Sequence, residues 1–257
     1  MEALVLVVLY SVFACIITLL PARAARRRSL LIKNTSRVSR LMLSLLGVRV
    51  HVKHRERLRE NTTARLVVAN HLSYIDILVI AAVAPSVFIT SVEMGSTLVL
   101  GVLARMGGSI FIERRKAPHL RREIPIIVQI LQSGIPVTLF PEGTTSNGNC
   151  VQPFKNSFFL TSILARTDIL PLCLRYTGVN GEPLKESKRD LIFYYGDASF
   201  GQHFPRLLSL TSLDVEVVPL KIIHVREGDS RKELAIRAGD AISKAYQEES
   251  LRDRIAD

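Results

Sequence analysis

From residue 48 onward the chain alternates between short runs rich in β-branched and aromatic residues and longer segments compatible with helices. Such alternation is typical of βαβ units, in which each helix returns the chain across one face of a parallel sheet. It predicts an α/β fold with a mostly parallel central sheet flanked by helices. In sheets of this kind, chemistry is found in the loops that leave the carboxyl ends of the strands.

The element boundaries follow from local composition. The β-rich runs predict strands at residues 48–52, 66–69, 87–90, 109–112, 136–140, 169–176, 191–195 and 215–223. The segments between them predict helices at residues 75–83, 98–106, 119–131 and 156–165, followed by a C-terminal helix at 233–249. Pro125 is expected to kink or shorten the third of these helices, because proline removes a backbone donor.

The most apolar stretch lies ahead of the sheet. Residues 3–20 contain no charged side chain, and as a helix of about 1.5 Å per residue they would extend about 27 Å, close to the ~30 Å hydrocarbon core of a bilayer. We predict a transmembrane or membrane-embedded helix at residues 1–22. A cleaved signal peptide and a buried soluble helix are the alternatives. Glu2 stands where a signal peptide carries positive charge, and Arg26, Arg27 and Arg28 fit poorly at the edge of a core.

A basic segment follows directly. Residues 21–60 contain twelve lysines and arginines and two acidic residues, so they carry a charge of +10 out of a formal net charge of +11. By the positive-inside rule this predicts a membrane protein with the body of the chain on the cytoplasmic face, next to anionic lipids. The segment has no interleaved aromatic residues and matches no nucleic-acid-binding module, which argues against a nucleic-acid partner.

Within that segment, residues 23–47 are predicted to form a basic amphipathic stretch. Val38, Leu41, Met42, Leu45 and Leu46 fall on one face at helical spacing. One interpretation is a helix that lies on the membrane surface. The other is an ordinary amphipathic helix packed on the domain.

The remaining boundaries follow from length and cysteine usage. The chain of 257 residues is long enough for one sizeable domain with appendages. We predict a catalytic domain at 48–225, with its motif-bearing core at 66–178, and a C-terminal helix at 226–257. The three cysteines are too few and too scattered for a disulfide framework, and the absence of a CxxC pair disfavours a structural zinc site.

The loop after the predicted strand 66–69 has the sequence Asn-His-Leu-Ser-Tyr-Ile-Asp. His71 has the side chain best suited to proton transfer at neutral pH, and a carboxylate such as Asp76 fixes the tautomer of a catalytic imidazole. The same residues permit a purely structural interpretation. Ser73 could cap the following helix, with Asp76 three residues later completing a capping box. The pattern alone leaves both interpretations open.

Two further segments carry polar chemistry. Residues 140–148, Phe-Pro-Glu-Gly-Thr-Thr-Ser-Asn-Gly, follow the predicted strand 136–140, and their N–H groups and hydroxyls could hold an anion or an oxyanion. Residues 108–116 end in Glu-Arg-Arg-Lys, a cationic cluster that could bind a phosphate. Each segment alone is equally compatible with a turn or a solvated strand end.

Taken in this order, the segments resemble the glycerolipid acyltransferase family, whose best-known member is 1-acylglycerol-3-phosphate acyltransferase. Residues 70–76 match its NHxxxxD block, residues 108–114 its GxxFIxR block and residues 140–144 its FPEGT block. Residues 169–172 are similar to its fourth block, an apolar run with one proline. The resemblance covers residues 66–178, and it implies the transfer of an acyl group from a thioester to the free hydroxyl of a lysophospholipid.

The resemblance also implies roles for individual residues. His71 would be the general base on the acceptor hydroxyl and Asp76 would orient it. The substrate would be held by Phe111, Arg114, Glu142, Gly143, Thr144, Thr145 and Pro171, with Glu142 organising its loop and Pro171 shaping the acyl-chain site. No cofactor, metal or covalent acyl-enzyme is implied. Acyl-CoA or acyl carrier protein would be the donor.

One position departs from the family pattern. Members that form phosphatidic acid typically have arginine after FPEGT, where this chain has Thr145. The acceptor could therefore be 1-acylglycerol-3-phosphate or another lysolipid such as lyso-ornithine lipid. Arg115, Lys116 or Arg175 could supply the missing charge. Outside this class, a non-catalytic membrane lipid-binding protein or a thioesterase would fit the same motifs.

Overall fold

The computed structural model describes residues 2–60, 64–92, 101, 104–105, 107–112 and 117–256. The described helices are α1 (Glu2–Leu19), α2 (Ala24–Leu45), α3 (Ile75–Val83), α4 (Ala117–Gln132), α5 (Leu160–Ala165), α6 (Phe200–Leu208) and α7 (Arg231–Ala256). The strands are β1 (Val48–Val52), β2 (Leu66–Ala69), β3 (Val87–Ser91), β4 (Ile110–Ile112), β5 (Val137–Leu139), β6 (Ile169–Val179), β7 (Glu182–Pro183) and β8 (Leu213–Pro219).

The strands form one sheet in the order β1-β8-β6-β2-β5-β3-β4, with β7 paired to β6. Strands β6, β2, β5, β3 and β4 run parallel. Strand β8 is antiparallel to β6 and parallel to β1, and β7 is antiparallel to β6. The predicted α/β fold with a mostly parallel sheet and flanking helices is confirmed, and the antiparallel pairing is an addition that the sequence did not indicate.

The centre of the sheet is buried on both faces, which explains its composition. All four residues of β2 and all three of β5 are buried, as near-continuous apolar runs in a covered parallel sheet should be. In β6, Pro171 lies opposite Val68. A proline inside a central strand is unusual, because it donates no ladder hydrogen bond.

One predicted strand is wrong. Residues 191–195 follow a 3-10 turn, Glu186–Leu191, and form no strand. Both edges of β6 are occupied, by β2 and by β8, so this segment packs elsewhere: the N–H of Tyr194 donates to the carbonyl of Leu72 at 3.0 Å. Ile192 and Phe193 are consecutive and both buried, which is not the alternation of a half-buried strand.

Two predicted helices need separate comment. The helix at 98–106 lies largely outside the described residues. Helix α4 continues through Pro125 to Gln132, so the proline does not shorten it. The buried side chains Ile127, Ile130 and Leu131 hold the second half of this helix against the sheet.

Helices α1 and α2 form a hairpin. The hydroxyl groups of Tyr10 and Thr35 lie 3.2 Å apart. Tyr10 and Ala14, which belong to the apolar run, are buried in this hairpin. In the part of the chain that the structure describes, no helix is long and apolar enough to cross a membrane. Of the two alternatives predicted for residues 1–22, the transmembrane helix is not supported, and the membrane-embedded helix stays a prediction. Helix α1 has 18 residues, and one of its faces packs on α2.

The face that α2 buries differs from the predicted one. Its buried residues are Ile32, Ser36, Ser39 and Leu43, and this face packs on α3 and α1. Leu41 and Leu45, which the spacing placed on the apolar face, are exposed. They share that exposure with Val8, Leu9, Val12, Phe13, Ile16 and Leu19 of α1.

The C-terminal helix α7 begins with a capping box. The hydroxyl of Ser230 accepts from the N–H of Glu233, and the Glu233 carboxylate accepts from the N–H of Ser230. Its buried side chains include Leu234, Ile242 and Tyr246. The Tyr246 hydroxyl donates to the carbonyl of Gly148 at 2.7 Å. This helix therefore supports the loop that follows β5.

Candidate active site

The sheet topology brings the segments at residues 70–76 and 140–148 together. Strands β2 and β5 are parallel neighbours, with Val68 opposite Leu139, so both chains leave the sheet at the same edge. The His71 loop and the loop at 140–148 are therefore adjacent. The N–H of Ser146 donates to the carbonyl of His71 at 3.0 Å.

The centre of this edge is the carboxylate of Asp76, which is fully buried. Its Oδ2 atom lies 2.8 Å from Nδ1 of His71 and accepts from the N–H groups of Leu72 and Ser73 at 2.7 and 2.9 Å. Its Oδ1 atom accepts from the Tyr176 hydroxyl at 2.6 Å. Four donors thus compensate a charge that burial alone would strongly disfavour. Burial and the Asp76 charge raise the pKa of Tyr176 well above 10, so the phenol remains protonated and able to donate.

Only one half of the capping box predicted at Ser73 and Asp76 forms. The carboxylate takes the N–H of Ser73, as the acidic residue of a capping box does, but the hydroxyl of Ser73 makes no capping bond in return. The same carboxylate holds the imidazole of His71. One buried side chain therefore begins helix α3 and orients the histidine.

The imidazole of His71 is fixed by contacts on several sides. Its ring stacks on Phe140, with ring centroids 3.9 Å apart and an angle of 12° between the planes. Because Nδ1 faces a carboxylate, that nitrogen carries the proton, and Nε2 is left with a lone pair. None of the described residues bonds to Nε2, and the side chain is 16% exposed. The nitrogen that can act as a base is therefore the one that has no partner among the described residues.

Glu142 faces inward rather than toward a ligand. Its Oε1 atom accepts from the N–H of His71 at 2.7 Å, and Oε2 accepts from the N–H of Gln152 at 2.9 Å. Burial raises the pKa of Glu142 to about 7, although the two N–H bonds oppose the shift. The side chain ties the backbone of the histidine loop to the segment that follows the loop at 140–148.

Within the loop at 140–148, three N–H groups have protein partners. Gly143 donates to the carbonyl of Phe140 at 3.1 Å, Ser146 donates to His71 as described, and Gly148 donates to the hydroxyl of Ser146 at 3.4 Å. Thr144 is the exposed residue of this loop, and Thr145 is half-buried.

Gly143 has a φ of +81°, a backbone conformation that residues other than glycine rarely adopt. A Cβ atom at this position would lie 2.5 Å from the Nζ atom of Lys155. The backbone N–H of Lys155 donates to the carbonyl of Pro141 at 2.9 Å, which anchors this residue beside the loop. The glycine thus lets an ammonium group rest directly over the loop.

Of the other predicted site residues, the structure describes Phe111, Pro171 and Arg175. Arg114, Arg115 and Lys116 lie outside the described residues. Phe111 is on strand β4, two strands from β5, with the guanidinium of Arg105 5.3 Å from its ring centroid. Pro171 is buried within the sheet, opposite Val68. Arg175, considered as a source of charge, is buried and forms an ion pair with Glu216 at 3.0 Å.

Sequence reasoning missed several residues that build the site: Asn70, Phe140 as a stacking partner, Gln152, Lys155 and Tyr176. Asn70 is buried, and its amide accepts from the N–H of Leu174 at 2.8 Å and donates to the carbonyl of the same residue at 2.9 Å. It imitates a peptide group and extends the pairing of β2 with β6. Only its position next to His71 pointed to it. Tyr176 and Lys155 carried no local signal.

Comparison with known proteins agrees with this geometry. The sequence matches the family described as Acyltransferase over residues 49–175. It is 33% identical over 223 residues to a lyso-ornithine lipid O-acyltransferase of Rhizobium meliloti, covering 84% of this chain and 74% of that protein. It is 32% identical over 198 residues to a 1-acyl-sn-glycerol-3-phosphate acyltransferase of Neisseria gonorrhoeae, covering 77% and 72%.

A solved structure shows the same fold. The 1-acyl-sn-glycerophosphate acyltransferase PlsC of Thermotoga maritima superposes with a TM-score of 0.67, covering 97% of this chain and 96% of that one, at 20% sequence identity. At that identity the likeness concerns the architecture alone.

The raised pKa of Glu142 predicts a stability change with pH. The ordinary pKa is 4.5 and the folded value about 7, so the folded protein holds this proton more tightly than the unfolded chain. The stability that the group contributes is complete below pH ~4.5 and is lost as the pH rises to ~7, by up to roughly 3 kcal/mol. Urea unfolding across this range should show that decline, and Glu142→Gln should remove it. Glu227→Gln, at an exposed carboxyl, is the control. A decline of equal size in both variants would contradict the assignment.

Proposed function

The chain belongs to the glycerolipid acyltransferase family and is an acyltransferase, and on that premise we propose that it transfers a fatty acyl group from a thioester to the free hydroxyl of a lysophospholipid, with His71 and Asp76 as its catalytic residues. The observation that carries the proposal is the histidine itself. Asp76 holds Nδ1, no described residue bonds to Nε2, and the histidine loop lies beside the loop at 140–148.

The chemistry follows from that arrangement. Nε2 of His71 takes the proton of the acceptor hydroxyl while the hydroxyl oxygen attacks the thioester carbonyl. The buried Asp76 carboxylate stabilises the resulting imidazolium. The tetrahedral intermediate collapses, the C–S bond breaks, and the imidazolium returns its proton to the departing thiolate. The products are an ester and a free thiol, and the imidazole is again neutral.

We assign the acceptor headgroup to the region of Thr144 and Lys155. Position 145 is a threonine where many members of the family have arginine. In this proposal Lys155, whose ammonium lies over Gly143, supplies the positive charge instead. Arg114 follows β4, which ends at the same edge of the sheet, and is the second cation of this proposal.

Two cations favour an acceptor with a phosphate, so 1-acylglycerol-3-phosphate is the first candidate. Lyso-ornithine lipid is the second candidate. The Rhizobium meliloti relative is named for it, and Thr145 departs from the pattern of the phosphatidic-acid-forming members.

We further propose that α1 and the end of α2 attach the protein to the cytoplasmic surface of a membrane. Exposed apolar side chains such as Phe13, Ile16, Leu41 and Leu45 form an area that water disfavours. The basic residues of the segment 21–60 would lie over anionic headgroups. Acyl-CoA or acyl carrier protein is the donor of this proposal.

A substrate panel tests the reaction. The purified protein is incubated with labelled acyl-CoA alone, with 1-acylglycerol-3-phosphate and with lyso-ornithine lipid. Transfer gives a diacyl lipid only with the correct acceptor. Free acid that forms regardless of the acceptor would identify a thioesterase instead, and the absence of either product would indicate lipid binding alone.

In the same assay, His71→Ala should lower turnover by ~10²–10⁴-fold, the usual contribution of a positioned general base. Asp76→Asn should also be harmful, because the amide can hold the wrong imidazole tautomer. Unfolding curves of both variants serve as the control for folding. A His71→Ala variant that is folded and retains near-normal turnover would exclude the mechanism.

The headgroup assignment predicts a selective change in Michaelis constants. Lys155→Met should raise the KM for the phosphate-bearing acceptor by roughly tenfold or more, since a charge-assisted bond to phosphate contributes ~1.5–3 kcal/mol. The KM for the thioester should change far less. Arg114→Ala should behave in the same way, and Lys155→Arg, which keeps the charge, should restore most of the affinity. Equal effects on both substrates would assign these residues to the donor site or to structure.

The attachment hypothesis predicts how the protein responds to salt. Full-length protein should stay with membranes through a high-salt wash, because the hydrophobic effect is not screened. Protein that lacks residues 1–28 should be released far more readily by the same wash, because the apolar side chains of α1 are gone and attachment then rests mainly on the basic residues 29–60. Release of intact protein by salt alone would show that its attachment is electrostatic.

A further inference from the structure

A groove of about 780 Å³ lies between the C-terminal part of α2, strand β1 and the end of α3. This volume is within the range of about 300–1,000 Å³ that is typical of small-molecule sites. Asp76 is in the first turn of α3, whereas Ala82 and Val83 at the other end of that helix line the groove. Seven helical residues separate the two places by about 10 Å, so the groove is distinct from the catalytic histidine.

The groove has a basic rim. Four arginines line it, Arg40, Arg49, Arg55 and Arg59, and no acidic residue does. Arg49 is neutralised by Asp214 at 2.7 Å. Arg40 donates to the carbonyl of Ala82 and to the hydroxyl of Ser36, neither of which is charged.

Arg55 and Arg59 stand at the two ends of one 3-10 turn and are exposed. Arg57, between them, points away and donates to the carbonyl of Pro219. The described part of the chain provides no acidic partner for Arg55 or Arg59. The rim therefore holds three guanidinium groups, and among the described residues no carboxylate pairs with them.

The apolar part of the lining, called the floor here, consists of Leu43, Val48, Val50, Val52 and Leu58, and the hydroxyl residues Ser44, Thr211 and Ser212 line the groove beside it. The exposed side chains Leu41 and Leu45 stand on α2 next to Arg40, Leu43 and Ser44, which line the groove. An apolar floor, a cationic rim and an adjoining apolar surface together suit a molecule with an anionic head and a hydrocarbon tail.

We propose that this groove binds one anionic phospholipid of the bilayer, with its phosphate at Arg40, Arg55 and Arg59 and the first part of an acyl chain on the floor. The lipid held here is neither the acceptor nor the product in the catalytic site. It fixes the orientation of the catalytic domain on the membrane surface. An acidic protein such as acyl carrier protein would meet the rim, but it would leave the apolar floor exposed to water, which favours the lipid.

Photo-crosslinking tests the proposal with the full-length protein. The probe is phosphatidylglycerol with a photoactivatable group on an acyl chain, in phosphatidylcholine vesicles, and the labelled peptides are mapped by mass spectrometry. Labelling is expected in peptides that contain Leu58, Ala82 and Val83. Arg55→Gln with Arg59→Gln should raise the probe concentration for half-maximal labelling by about tenfold or more, since each arginine near an anionic lipid contributes roughly fivefold. Arg226→Gln with Arg231→Gln removes the same charge from exposed positions outside the groove and should have little effect.

A second variant tests the floor without changing charge. Ser44→Trp places a bulky side chain in the groove from an exposed position on α2, and it should reduce labelling of the same peptides. Labelling that is unchanged by either groove variant, or that a phosphatidylcholine probe gives equally, would overturn the proposal. So would equal losses in both double-arginine variants, or displacement of the lipid by acyl carrier protein. No turnover is needed, so these outcomes are independent of the acyl-transfer proposal.

Discussion

The buried carboxylate of Asp76 is the constraint on which the site depends. A charge without contact with water is tolerable only if enough donors surround it. Here the donors are the His71 ring, two backbone N–H groups and the Tyr176 hydroxyl. Three of the four are contributed by the same short loop, so the need to satisfy one carboxylate dictates the path of that loop. The orientation of the imidazole is a result of satisfying this buried charge.

A second carboxylate completes the arrangement from another strand. Glu142 holds the backbone N–H of His71, whereas Asp76 holds its ring. The two acidic residues therefore fix the same histidine from opposite ends. Phe140 covers one face of the ring, which further restricts the orientation of the imidazole. The parallel pairing of β2 with β5 makes this possible, because it brings two loops from distant parts of the sequence to one edge.

Much of this arrangement could be predicted from sequence, and the failures have physical causes. The bounds of β1, β2 and α3 were predicted correctly, because their composition and their flanking residues agree with their structure. Spacing showed that Leu41 and Leu45 share a face of α2, but periodicity cannot tell which face a helix buries, and the structure exposes both. The strand predicted at 191–195 failed because no edge of β6 was left for it. Tyr176 and Lys155 could not be found, because their contacts with the site arise only when the sheet forms.

The pairing of Asp76 with Tyr176 spans 100 residues, and that of Asn70 with Leu174 spans 104. During synthesis the ribosome must therefore add about a hundred residues after the histidine loop before the charge of Asp76 can be fully compensated. At ~5–20 residues per second that interval is roughly 5–20 seconds. Throughout it, the apolar side chains of α1 have already emerged, while the sheet that supports α2 and α3 is incomplete. The nascent chain therefore exposes the apolar side chains of α1 well before the active site can form. Contact with a lipid surface in that interval would protect these side chains from aggregation.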